Sequence, residues 1–160
     1  MSDSGDGLSP TIYGGGGGAD FSDRLPAGAR ICEVYIRHGD YVDGLRLSWV
    51  TADGTRVDGP YHGGQGGMDH SFTLAPGELI DVVRGAGGEY IDSLAFETSL
   101  GHSYGPYGGG GGKPFEEIFK SERSPFAHTL VTRPLRGICG RSGNLLDSLG
   151  FLVDLDFTEG

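Results

Sequence analysis

The chain has 160 residues, enough for one domain with a hydrophobic core and no covalent staples. Its formal net charge of −10 argues against nucleic acid and anionic membrane surfaces as partners, since both select basic patches. No apolar run approaches the roughly 18 residues of a spanning helix. The 32 glycines cluster between well-patterned hydrophobic stretches, so they read as loops rather than low complexity.

Residues 1–10 are expected to form a flexible N-terminal tail. They lack the basic and apolar regions of a signal peptide, so a cytoplasmic location is the default expectation, with extracellular release left open. Tyr13 then opens a run of five glycines at 14–18. A β-prone stretch at 34–36 leads to Gly39, Asp40, Tyr41 and Asp43, after which Leu45, Leu47 and Trp49 alternate with polar residues at the period of a half-buried strand. Asp53 and Gly54 read as a hairpin turn. Tyr61 lies near a second glycine loop at 63–67.

The pattern returns. Residues 79–83 are β-prone, Gly88, Glu89, Tyr90 and Asp92 follow, and Leu94 and Phe96 alternate behind them. Tyr107 introduces a third glycine loop at 108–112. Residues 114–120 have room for a turn of helix before Pro125, although no long 3.6-residue period appears. Residues 137–139 are strand-like and precede Gly143, Asn144, Leu145 and Asp147, with Leu149 and Phe151 beyond.

Three Gly-x-x-x-Asp-[Gly/Ser]-Leu units thus recur about every 50 residues, each at an expected hairpin tip and each interleaved with a Gly-Gly-x-Gly-Gly loop. One such unit would mean nothing in so glycine-rich a chain; three with matching companions imply an all-β fold with internal threefold pseudosymmetry. Trp49, Phe96 and Phe151 lie at equivalent alternating positions and read as core. Cys32 and Cys139 sit in apolar runs and read as buried free thiols, with a disulfide as the alternative. Asp20, Asp69, Glu116 and Glu117 form no calcium-loop pattern and read as solvated surface, so no metal site is expected. His38, His62, His70, His102 and His128 are scattered without ligand spacing, and no serine stands in a nucleophile elbow. An enzyme is therefore not expected.

These repeats carry a resemblance. Residues 11–157 resemble the jacalin-related lectin family, above all at 13–21, at 104–108 with Pro114 and Phe115, and at 140–150. The resemblance implies a type I β-prism of three four-stranded Greek-key sheets, a lectin domain over 11–160, and a non-catalytic, cofactor-free protein that binds glycans or glycoproteins. It leaves room for a homodimer.

The resemblance also implies how the loops pair. Site one would join Gly18 to Gly143, Asn144, Leu145 and Asp147. Site two would join Gly67 to Gly39, Asp40, Tyr41 and Asp43, and site three Gly112 to Gly88, Glu89, Tyr90 and Asp92. The aspartate would accept from the sugar O4 and O6 hydroxyls, the two residues after the tip glycine would offer N–H groups to O5 and O6, and the last loop glycine would serve O3. Tyr41 and Tyr90 are exposed loop aromatics, available to stack on a sugar. In the galactose-binding branch a cleaved chain frees an amino-terminal glycine at the first loop, and aromatics line the site. Here Thr11, Ile12 and Tyr13 precede Gly14 without a break, and Asn144 and Leu145 stand at the aromatic pair, so mannose or glucose is expected. The alternatives are a galactose binder of the same family and a structural β-prism module without sugar binding.

Overall fold

A computed structural model of the chain describes residues 9–120, 122–123, 129–154 and 156–159, and every regular element among them is a strand. Residues 1–8 of the expected tail, Pro125 and His128 lie outside the described residues. In chain order the strands are β1 (Tyr13–Gly14), β2 (Ala19–Arg24), β3 (Arg30–His38), β4 (Val42–Val50), β5 (Arg56–Asp58), β6 (His62–Gly63), β7 (Met68–Thr73) and β8 (Ile80–Gly87). There follow β9 (Ile91–Thr98), β10 (Ser103–Gly108), β11 (Lys113–Ile118), β12 (Glu122–Arg123), β13 (Thr129–Thr132), β14 (Leu135–Ser142), β15 (Leu146–Val153) and β16 (Asp156–Glu159).

Sheet I has the order β1-β15-β14-β2, sheet II β5-β4-β3-β7 with β6 continuing the outer strand, and sheet III β10-β9-β8-β11. In each sheet a hairpin holds the centre, the third strand flanks its second arm, and the fourth returns beside its first. This is Greek-key order. Sheet I takes its hairpin from one end of the chain and its outer strands from the other. The outer strand of sheet II breaks between β5 and β6 at Pro60, which has no N–H for a ladder.

Two features differ from the sequence expectation. Residues 114–120 make no helix; they supply most of β11, an edge strand. Pro114 is tolerated there because an edge strand need not donate on its outer side, and Phe115 and Glu117 turn inward while Glu116 stays exposed. A small additional sheet, β12-β13-β16, prolongs the central hairpin of sheet I beyond Pro134, where the missing N–H interrupts the ladder.

Strands β4, β9 and β15 touch one another around the pseudo-threefold axis. Their alternation stacks equivalent residues in layers: Val42, Ile91 and Leu146, then Leu45, Leu94 and Leu149, then Leu47, Phe96 and Phe151, all buried. Trp49 is buried as expected, but its counterparts one layer further on are Thr98 and Val153, so Leu47 and not Trp49 is the equivalent of Phe96 and Phe151. Truncating Leu94 to alanine is expected to cost about 3 kcal/mol, the usual toll of an unfilled core cavity. Urea denaturation with an unchanged m-value checks this; a loss below 1 kcal/mol would contradict the central position.

The sheets meet along three aromatic seams. Tyr13 stacks on Phe115 at 4.1 Å and donates its hydroxyl to Glu117, so Glu117 is half-buried and paired rather than freely solvated. His62 stacks on Phe21 at 3.9 Å, with Nε2 2.6 Å from Asp23. Tyr107 faces His70 at 5.6 Å. The residue opening the second glycine loop is therefore His62; Tyr61 stands one position earlier and bonds the Gly64 carbonyl at 2.5 Å. Cys32 is buried and Cys139 only half-buried, and both are free thiols.

Candidate functional site

The three Gly-x-x-x-Asp units occupy the tips of the central hairpins and share one backbone conformation. Gly39, Gly88 and Gly143 each donate N–H to the carbonyl two residues on, Tyr41, Tyr90 and Leu145, at 2.9 Å in all three cases. A bulge follows at the same place in each hairpin, where His38, Gly87 and Ser142 pair with Val42, Ile91 and Leu146. The bulge resets the alternation so that the apolar residue points inward while the aspartate beside it faces the loop end. Among the described residues no backbone acceptor takes the N–H of residues 40 and 41, 89 and 90, or 144 and 145.

Each glycine loop closes onto one of these tips, in the pairing the resemblance implies. Gly15, Gly64 and Gly109 donate N–H to the main-chain carbonyls of Asp147, Asp43 and Asp92 at 2.8, 3.0 and 2.9 Å. The loop then passes across the carboxylate. A side chain at Gly17, Gly66 or Gly111 would begin 2.7, 2.8 or 2.9 Å from a carboxylate oxygen, and one at Gly18, Gly67 or Gly112 would begin 2.7, 2.7 or 2.5 Å from the other. The last glycine of each loop also has positive φ: +77°, +72° and +87°. Glycine is required there by both space and backbone sign.

Asp43, Asp92 and Asp147 are nearly buried, the residues being 9, 7 and 6% exposed, and glycine backbone walls their carboxylates. Burial raises the Asp43 carboxyl above its ordinary pKa, against the lowering pull of Arg37 and His38. Burial likewise raises Asp147, opposed by Arg141 and the Gly143 N–H. Each apex therefore presents a carboxylate acceptor, two unengaged N–H donors and a bare glycine backbone. Together they match a compact ligand with adjacent hydroxyls, each both donor and acceptor.

The apexes also interlock. Gly15 of the first loop packs on the Glu89 backbone, Gly64 of the second on Asn144, and Gly109 of the third on Asp40. Each loop thus rests on the hairpin tip of the next site around the axis, which gathers all three apexes at one end of the prism. Tyr41 and Tyr90, from sites two and three, meet edge-on at 5.2 Å; Tyr41 is exposed and Tyr90 half-buried. Asp20, Asp69 and Glu116 are exposed as expected but paired, with Arg141 at 2.6 Å, Tyr35 at 3.3 Å and Arg84 at 2.7 Å.

Sequence reasoning passed over Arg37 and Arg141. Both stand two residues before a tip glycine, and both reach the carbonyls of the glycine loop they face. An arginine at the same offset in two of three repeats is the signal that could have found them.

A family model described as the jacalin-like lectin domain matches residues 11–152. No curated protein sequence matches the chain. Among solved structures, the fold is similar to a mannose-specific jacalin-related lectin from Morus nigra in complex with mannose. That pair shares 26% identity at a TM-score of 0.78, covering 96% of this chain and 98% of the other. It is also similar to AcmJRL, a mannose-binding jacalin-related lectin from Ananas comosus, at 25% identity and a TM-score of 0.75, covering 90% and 94%. Malaysian banana lectin matches at 24% identity and a TM-score of 0.75, covering 91% and 96%.

Proposed function

The chain belongs to the jacalin-like lectin family and is a carbohydrate-binding lectin, and from that premise we propose that it binds mannose- or glucose-type sugars at three sites per chain without a metal ion. The carrying observation is the threefold recurrence of one buried carboxylate facing side-chain-free backbone. At site one the acceptor is Asp147, with the N–H groups of Asn144 and Leu145 and the backbone of Gly18 and Gly143 around it. Site two uses Asp43, Asp40, Tyr41, Gly39 and Gly67, and site three Asp92, Glu89, Tyr90, Gly88 and Gly112. The mannose-binding activity of the relatives from Morus nigra and Ananas comosus supports this preference, as does the unbroken chain leading into Gly14.

An ionised carboxylate accepts from two neighbouring hydroxyls at once, and such charge-assisted bonds are the stronger kind. Ion-free binding follows, because the acceptor charge is already present and loop N–H groups supply the donors. No catalytic step is included: glycoside hydrolysis commonly needs two carboxylates flanking the bond, and each apex centres on one. Three sites gathered at one end of the prism would raise apparent affinity for branched or clustered glycans.

Calorimetric titration tests the reading. Methyl α-mannoside is expected to bind with a stoichiometry near three, methyl α-galactoside at least tenfold more weakly, and EDTA to change neither. A stoichiometry near one, or preference for the galactoside, would refute it. Affinity should fall on acidification as the carboxylates take up protons. At sites one and two the midpoint should lie above the ordinary aspartate value of about 3.9, because burial raises Asp43 and Asp147.

A further inference from the structure

The three apexes share a backbone plan but differ in how their glycine loops are held. Arg37, on β3, donates from Nε to the Gly66 carbonyl at 3.0 Å and from Nη2 to the Gln65 and Gly67 carbonyls at 3.0 and 2.9 Å. Its Nη1 reaches the Tyr35 hydroxyl at 3.2 Å, which in turn donates to Asp69 at 3.3 Å. Arg141, at the matching place on β14, donates to the Gly17 and Gly18 carbonyls at 3.1 and 2.6 Å and to Asp20 at 2.6 Å. The register makes the equivalence explicit: Arg37 pairs with Asp69, Arg141 with Asp20, and in sheet III Ala86 pairs with Pro114. Ala86 has no side-chain donor, and Pro114 has neither the carboxylate that would orient one nor an N–H.

We propose that Arg37 and Arg141 are positioning residues, latches that hold the glycine loops of sites two and one in binding shape, and that site three, whose loop is bonded by a side chain only at its entrance, where Gly108 donates N–H to His38 Nδ1 at 3.2 Å, and has no arginine on its later carbonyls, is the weakest of the three. The inference rests on the sugar-site reading above, because it ranks sites that reading defines. A run of glycines has more backbone freedom to lose than any other sequence, and ordering it on ligand binding subtracts from affinity. A guanidinium fork bonded to two or three successive loop carbonyls spends that entropy during folding, before a sugar arrives. Preorganisation of this kind raises affinity without adding a contact to the ligand. The fork geometry matters; a lysine ammonium is a compact charge on a flexible stem and lacks it.

The test uses the full chain and amide correlation spectra, in which the loop glycines report each site separately while methyl α-mannoside is titrated. Sites one and two should bind more tightly than site three by about threefold or more, a modest preorganisation effect. Arg37→Met should weaken site two by about fivefold and leave sites one and three unchanged, Arg141→Met should do the same to site one, and Arg37→Lys should restore only part of the loss. The paired substitution Ala86→Arg with Pro114→Asp should strengthen site three several-fold. A merely structural arginine would not produce a loss confined to one site or a gain at another.

Amide exchange of residues 16–18 and 65–67 in the sugar-free protein should be several-fold slower than that of 110–112, which tests the latch without a sugar. Equal exchange in all three loops, or methionine variants whose site-resolved affinities stay within twofold, would overturn the proposal while leaving the sugar sites intact. Slow exchange at the latched loops with no response to methyl α-mannoside or methyl α-galactoside would support the latch and refute the sugar-site reading instead.

Discussion

Replacing Asp43, Asp92 and Asp147 together with asparagine is expected to abolish measurable saccharide binding while the protein stays folded. Asparagine keeps the shape but exchanges one acceptor oxygen for an NH2 group, so a sugar hydroxyl that had donated now meets a donor. Each charge-assisted bond is worth roughly 1.5–3 kcal/mol, and two are altered per site, so a loss of at least about 100-fold is anticipated. Stability should move the other way. Burial raises Asp43 and Asp147, which means the folded state holds their protons more tightly than the unfolded chain does. Their ionised forms therefore oppose folding: the penalty is absent below the ordinary carboxylate pKa and grows as pH rises through the raised folded-state values. At neutral pH the triple variant should melt no lower than the parent. Calorimetric titration with methyl α-mannoside and a thermal melt check the two halves, and retained affinity would remove the basis of the proposed function.

The second large effect concerns one methyl group. Alanine at Gly18, Gly67 or Gly112 would have to adopt φ of +77°, +72° or +87°, and its Cβ would begin 2.5 Å from the Ser142 carbonyl, the His38 carbonyl or the Asp92 carboxylate, respectively. The backbone term alone costs about 1–2 kcal/mol for an L-residue, and the collision forces the loop off the carboxylate. Each substitution should abolish its own site and lower stability by about 2–3 kcal/mol. Gly16 and Gly110 are the controls. A Cβ there meets nothing within 4 Å and neither has positive φ, so alanine should be neutral or stabilising by about 0.4–1 kcal/mol through the unfolded chain. Urea denaturation and site-resolved titration separate the two classes; equal behaviour at Gly16 and Gly18 would contradict the geometry.

Much of this architecture is written locally. The alternation of Leu45, Leu47 and Trp49, repeated by Leu94 with Phe96 and by Leu149 with Phe151, marks half-buried strands because side chains alternate across a pleated sheet. The threefold recurrence of a glycine loop and a Gly-x-x-x-Asp tip is likewise visible without coordinates. Residues 114–120 are ambiguous in sequence because Pro114 and a mixture of aromatic and acidic side chains favour no period, and the strand forms because β8 offers it an edge. Trp49 shares aromatic character with Phe96 and Phe151 but not their offset from the aspartate, and it is the offset that fixes the layer.

The chain by itself determined that the fold is all-β, that it repeats three times, and that each repeat carries one aspartate beside a glycine loop, since periodicity and φ requirements are properties of neighbouring residues. Only the tertiary structure decided that the carboxylates are buried under backbone, that each loop rests on the tip of the next site, and that Arg37 and Arg141 grip the carbonyls of two loops while Ala86 offers the third no such grip. Those are relations between segments tens of residues apart, and Coulomb interactions, desolvation and steric contact depend on distance in space, which is settled only when the sheets close around a common axis.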